Sequence, residues 1–307
     1  LRHRRPPRRR DRQALDGDAG RLNPTKPASD FRHLNLHCKT MPTPFDLLRD
    51  PFTWIVFAAF FLLAFLEWRR PARAWPRVPW WPLKGGAAFA LYFLLSSYLP
   101  LWWGETLAAR RLVDLTALRV VEGALVGLLV YELGVWAWHR AMHRWRPLWL
   151  AFHQMHHSAE RLDVWGAFWF SPLDMLGWTL LGSLALTVVV GLAPQAVTAV
   201  LLIATLLSMV QHANLRTPRW LGWLVQRPES HSLHHARGVH AYNYADLPLI
   251  DMLFGTYRNP AHHAPCVGFH DGASGRLWPM LTFVDVSEPA PPRRDGRAAP
   301  SETEVMQ

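Results

Sequence analysis

Ten of the 16 histidines fall between His139 and His240, in groups whose spacing suits metal chemistry. His139 and His143 frame "HRAMH", His153, His156 and His157 make "HQMHH", and His231, His234 and His235 make "HSLHH". His212 stands alone in "QHANL". On a helix, residues i, i+3 and i+4 share a face, so the pair presents two imidazoles together and each triplet three. If the segments converge, eight imidazole nitrogens point into one volume, with His212 a ninth. Neutral imidazole ligates iron, zinc, copper or nickel, and so many nitrogens exceed the needs of one ion but suit two. Packed together without metal, they would leave buried polar atoms lacking partners, or like charges side by side.

The plainer readings fit less well. A lone His pair at i, i+4 is ordinary surface decoration, but one pair and two triplets together are not. A histidine-rich transporter loop would be a low-complexity tract without helical spacing. The chain contains no HExxH, no GxSxG elbow and no GxGxxG fingerprint, so a zinc protease, a serine hydrolase and a dinucleotide enzyme are disfavoured.

The histidines need elements to hold them, and the hydropathy shows which. Between Met175 and Val210 run 36 residues without a charged side chain, about 54 Å of helix and nearly two crossings of a ~30 Å hydrocarbon layer. Five spans are expected: Phe52 to Trp68, Gly85 to Trp103, Val120 to Trp138, and a pair turning at Gly191–Pro194. Tryptophans gather at the span ends, as in an interfacial belt. The loop after the first span is basic, and the third span ends in "HRAMHRWR" on the same side. The loop between the second and third spans carries Arg110, Arg111 and Arg119. With the more basic side in the cytoplasm, the histidines lie there too. The expected fold is an all-α integral membrane protein with about five transmembrane helices and a cytoplasmic helical cap holding a di-metal site. Residues 139–284 form its catalytic region, including a 173–212 transmembrane hairpin, and 41–138 the first three spans.

The net charge of +10 is not a nucleic-acid signature. Residues 1–40 hold 11 Lys and Arg against 4 Asp, and the rest of the chain 22 basic against 19 acidic residues. No basic patch is interleaved with aromatics. The basic stretch 1–40 would lie opposite the basic loops, so it is expected to be disordered and dispensable, with Met41 as the start of the working protein. The polar, Pro-rich stretch 285–307 is expected to be a disordered tail. Cys38 and Cys266 form neither a disulfide framework nor a thiolate site.

The order HxxxH, HxxHH, a hairpin of spans, then a second HxxHH resembles the fatty acid hydroxylase and sterol desaturase superfamily. The segment "HHARGVHAYNYADLPLIDMLFGTYRNP" is similar to that family's "HH…NYG…WDxxFGT" signature. The resemblance covers roughly Glu132 to Pro260. Ala245 replaces the family's Gly, Ile250 its Trp, and Arg216 stands where some members have a further His. With Ala245 in place, that turn need not have a positive φ.

The resemblance implies a non-haem centre of two Fe ions, with Zn able to occupy it in recombinant samples. The ligands it implies are His139, His143, His153, His156, His157, His212, His231, His234 and His235, with His240 an open question. The implied activity is hydroxylation or desaturation of a C–H bond in a lipid such as a sterol or fatty acyl chain, with O₂ as oxidant. Electrons are expected from an external cytochrome b5-, ferredoxin- or reductase-type protein, and the setting is a bacterial inner membrane or an ER-type membrane. A metal-binding or transport protein without redox catalysis is the alternative, and it predicts ligands along a path across the bilayer. Metal-bound imidazoles pass their second N–H to an acceptor, for which Asp163, Asp174, Asp246 and Asp251 are near in sequence. Glu132, in a span and seven residues before His139, and Asn214, beside His212, are the catalytic candidates.

Overall fold

The computed structural model describes residues 41–289. The expectations for residues 1–40, for Cys38, and for the tail beyond Pro289 lie outside them. Among the described residues the chain is all-helical, with five helices long and apolar enough to cross a membrane. After a short helix α1 (Pro44–Arg49) come the spans α2 (Pro51–Arg69), α3 (Trp81–Ala108) and α4 (Val120–Arg144). The fragments α5 (Arg146–Leu148) and α6 (Gln154–His157) flank a π-helical turn, Trp149–His153. The fourth span joins α7 (Pro172–Ser183) to a second π-helical turn, Leu184–Val189, and the fifth is α8 (Pro194–His212). Three short helices complete the cap: α9 (Pro228–His234), α10 (Pro248–Leu253) and α11 (Leu277–Leu281).

Proline opens most of these helices, at a position whose N–H would have no intrahelical partner anyway. The spans are apolar all round, yet α2 and α3 bury only a sixth or so of their side chains, leaving Phe61, Leu62, Phe65 and Leu83 outward. A water-soluble domain could not hold such surfaces; lipid can. Spans α4 and α8 pack closely because Gly127 has no Cβ: one built there would stand 2.5 Å from Leu192 and 3.0 Å from Val200. The expected hairpin turn is present, with Gly191 at φ +52° and a Cβ there excluded by the Val113 carbonyl.

Contacts between loops establish which ends of the spans lie together. Ala72 N–H donates to the Asn214 carbonyl, so the loop after α2 sits at the histidine end. Leu112 N–H donates to Val188 O and Leu115 N–H to Gly191 O, so the loop after α3 sits at the other end. At the histidine end the buried Glu67 carboxylate accepts N–H groups from Val164 and Asn214, closing the cap onto α2. The packed structure runs past the boundary expected at 284: Val286 is fully buried, and its N–H donates to the Gln154 side chain. The spans are also longer than hydropathy alone suggested; α4 continues through His139 and His143.

Candidate metal centre

Four segments carry the histidines to one place. The last turns of α4 hold His139 and His143, and the π turn with α6 holds His153, His156 and His157. The end of α8 holds His212, and α9 with its C-cap holds His231, His234 and His235. The helical spacing expected of "HQMHH" is thus interrupted: His153 ends a π-helical turn, whose wider i→i+5 bond runs from Gln154 N–H to Trp149 O. Such turns re-aim side chains and favour functional positions.

The nine imidazoles sort into two groups. His139, His143, His153, His157 and His234 offer nitrogens all within 4.8 Å of one another, and so do His156, His212, His231 and His235. All but His143 are buried, none more than 5% exposed. Burial first, and neighbouring imidazoles second, hold His153, His156, His157, His231, His234 and His235 well below the usual histidine range, so they are neutral.

Four of the outer nitrogens meet acceptors, whereas His156 Nδ1 and His231 Nδ1 are buried without a partner. His139 Nδ1 donates to Tyr244 O and His234 Nδ1 to Tyr242 O, both at 2.7 Å. His212 Nδ1 donates to Ser208 O at 2.7 Å, and His153 Nδ1 meets Asp174 Oδ2 at 2.9 Å. A carbonyl only accepts, so the hydrogen sits on Nδ1 and the lone pair on Nε2. Of these, the His139 and His153 Nε2 atoms face each other at 2.9 Å, while His234 Nε2 faces His157 Nε2 at 3.0 Å and His212 Nε2 faces both His156 and His231 Nε2 at 3.1 Å.

Converging lone pairs repel unless a cation lies among them, and a buried acceptor without a donor costs about 1–3 kcal/mol. His143 Nε2 is likewise buried without a partner. Two imidazole nitrogens each ~2.1 Å from an ion and at a right angle lie about 3.0 Å apart, which matches these contacts. The residues therefore fit a pair of nitrogen-ligated metal ions.

The supporting loop is strained. His240, Tyr242 and Asn243 have φ of +42°, +71° and +50°, a region costly for residues with side chains. This backbone aims the Tyr242 and Tyr244 carbonyls at His234 and His139. Asn243 holds it through Nδ2 to Ser230 O and Oδ1 to the Arg258 N–H, and Asp251 accepts the N–H groups of Tyr244 and Ala245. Ala245 is not among the positive-φ residues, so the missing glycine costs nothing there.

Of the four aspartates near the boxes, Asp174 meets a box histidine. Asp251 holds the loop, Asp163 accepts from Trp81 Nε1, and Asp246 accepts from Gln211 Nε2. Burial pushes the Asp246 carboxyl up to about 7. Glu132 and Asn214 are not brought among the histidine nitrogens. Glu132 is fully buried and accepts the Asp246 and Leu247 N–H groups, while the Asn214 amide bridges both backbone groups of Arg73. His240 Nδ1 lies 3.0 Å from His157 Nδ1, behind the group of five, and burial lowers it to about 4. The supporting carbonyls were beyond sequence reasoning, because every residue has one.

A cavity of about 650 Å³ opens from the histidines into the bundle. His139, His153, His156, His212 and His231 line its inner end; Phe89, Phe93, Val197 and Leu201 line the walls, and Leu101 and Pro42 its far end.

Residues 124–256 match the model of the fatty acid hydroxylase family. The ornithine lipid hydroxylase OlsE of Rhizobium tropici is 32% identical over 146 residues, which is 44% of this chain and 42% of that protein. The match thus spans about two-fifths of the relative's length. No solved structure matches.

Proposed function

We propose, from the match of residues 124–256 to the model of the fatty acid hydroxylase family, that this multi-pass membrane protein is a di-iron hydroxylase of lipid C–H bonds. The observation that supports it is the convergence of histidine Nε2 atoms at 2.9–3.1 Å at one end of a largely apolar cavity. The nine histidines act as ligands, five for one ion and four for the other. Iron held there supplies the redox chemistry that activates O₂, and the reaction turns a C–H bond and O₂ into an alcohol and water with electrons and protons from outside.

The chain's own part is positional. Asp174 and the carbonyls of Tyr242, Tyr244 and Ser208 hold the rings in one tautomer. The aromatic and aliphatic walls exclude water and hold a hydrocarbon chain beside the centre. Glu132 and Asn214 act as positioning residues, fastening the cap to the spans.

Amino-acid-containing lipids of the ornithine type are the first substrate class to consider, because the relative's name specifies one. A metal transporter would string ligands through the bilayer, whereas these lie together at one end of the spans. That end faces the cytoplasm in this reading: of 19 Lys and Arg among the described residues, Arg49, Arg110, Arg111 and Arg119 lie at the far end and the other 15 at the histidine end. A ferredoxin- or cytochrome b5-type carrier supplies the electrons there.

The test is reconstitution. Apo-protein in lipid nanodiscs is loaded anaerobically with Fe²⁺, reduced, and given O₂ and an ornithine lipid. Substrate gaining one oxygen by mass, with matching O₂ uptake, supports the proposal. Oxidation that persists without metal, or with one ion per chain, defeats it.

A further inference from the structure

The inner end of the cavity carries acceptor oxygens that no donor in the protein meets. Asp246 lines it, beside the histidines, and so does Gln211 from the end of α8. Gln211 Nε2 donates to Asp246 Oδ1, yet Gln211 Oε1 is buried without a partner. Among the described residues Asp246 Oδ2 has no donor and the carboxylate makes no ion pair, its backbone N–H going to Glu132. Glu132 Oε1, just behind, is buried and unpartnered too.

Three of the hydroxyls that line the cavity, those of Thr179, Ser183 and Thr205, do not supply the missing donors. Thr179, Ser183 and Thr205 each donate to the carbonyl one turn back on their own helix, so they present lone pairs as well. A buried carboxylate with unmatched acceptors around it calls for a ligand that is positively charged and rich in N–H. A primary ammonium has three such donors on one atom, and its hydrogen bonds to a carboxylate are charge-assisted.

We propose that Asp246 and Gln211 form a subsite for the primary ammonium of the lipid substrate. The amine sits beside the histidine centre, and its hydrocarbon runs along the cavity between α3, α7 and α8. The pair sets specificity for cationic amphiphiles over neutral ones of the same chain length. This rests on the lipid-hydroxylase reading above, from which it differs in naming what the cavity discriminates.

The experiment is equilibrium binding to the full-length, iron-loaded protein in detergent micelles, read by native mass spectrometry. The probes are dodecylamine, N-acetyldodecylamine and dodecanol, and the proteins wild type and Asp246→Asn. Comparison between proteins cancels partitioning into the micelle. Wild type is expected to hold the amine about tenfold more tightly than either neutral probe. Asp246→Asn should bring the amine to the level of the alcohol while leaving alcohol binding and iron content unchanged. A wild type that does not distinguish amine from N-acetyl amide overturns the subsite whatever the variant does, as does an Asp246→Asn protein that keeps the preference. If both neutral probes bind but the amine gains nothing, the hydroxylase reading stands and only the subsite falls. If no probe enters wild type, both fall.

Discussion

His139 Nε2 and His153 Nε2 face each other at 2.9 Å while the opposite nitrogens are held by the Tyr244 carbonyl and the Asp174 carboxylate. Two neutral imidazoles so arranged have no hydrogen to share. In the proposed reading the pair is a ligand set held open by its outer partners, and the first test is to remove one partner.

Asp174→Ala frees the His153 ring without removing a ligand. Such outer-partner losses weaken metal binding roughly 10- to 100-fold. Competition with a chromophoric chelator should show that loss, and Asp174→Asn, which still offers an oxygen, should show less. Unchanged affinity in both would mean that the ring is held by packing alone.

Histidine-to-alanine changes should separate the two groups. Replacing His156, His212, His231 or His235 is expected to lower metal from about two ions per chain to about one, because their nitrogens converge apart from the other five. The same change at exposed His262 should leave metal content and activity as they were. Graded loss of both ions together from every box variant would contradict two separate positions.

Glu132 should matter for stability more than for chemistry. Glu132→Ala leaves the Asp246 and Leu247 N–H groups buried without their acceptor, at about 1–3 kcal/mol each. A lowered melting temperature, largely restored in Glu132→Gln with activity retained, is the expected result. An inactive but fully stable Glu132→Gln would instead make the carboxylate part of the reaction.

Acid should destabilise the metal-free protein. Box imidazoles outside the spans lie well below the unfolded value near 6.5, and His240 lies at about 4. Between those values the unfolded chain binds more protons than the folded one, so stability is full above pH ~6.5 and falls as pH drops through that window. Asp246, raised to about 7, and Asp251, also raised, act in the opposite sense, but within the cap outside the spans they are two carboxyls against the seven imidazoles of the site. The apo melting temperature should fall from pH 7.5 to pH 5; a rise would reverse this balance.

Topology is open to labelling in whole cells. In a background with Cys38 and Cys266 replaced by Ser, Arg110→Cys should react with an impermeant maleimide added outside. Asp271→Cys, on a side chain 90% exposed at the histidine end, should react after the membrane is opened. Glu160 would be a poor position because it is buried against Ser274. The opposite pattern would invert the protein in the membrane.

Much of this was legible in the sequence because the relevant rules are local. Uninterrupted apolar runs define membrane spans by length alone, and HxxxH and HxxHH bring rings to one face through the pitch of a helix. What the tertiary structure decided is how the rings divide. His153 and His157 join His139, His143 and His234, while His156, between them in sequence, joins His212, His231 and His235. That division depends on a π-helical turn and on the docking of α9 against α8, neither of which has a spacing rule. His212 had no repeat to mark it and reaches the site because α8 ends there. Glu132 and Asn214 looked catalytic from their places in the chain, but a carboxylate or amide goes to whatever donors the fold brings near. Here those were backbone N–H groups of the loops. Backbone carbonyls are identical at every residue, so which of them hold the imidazoles became visible only once strained residues 240–243 were folded against the boxes.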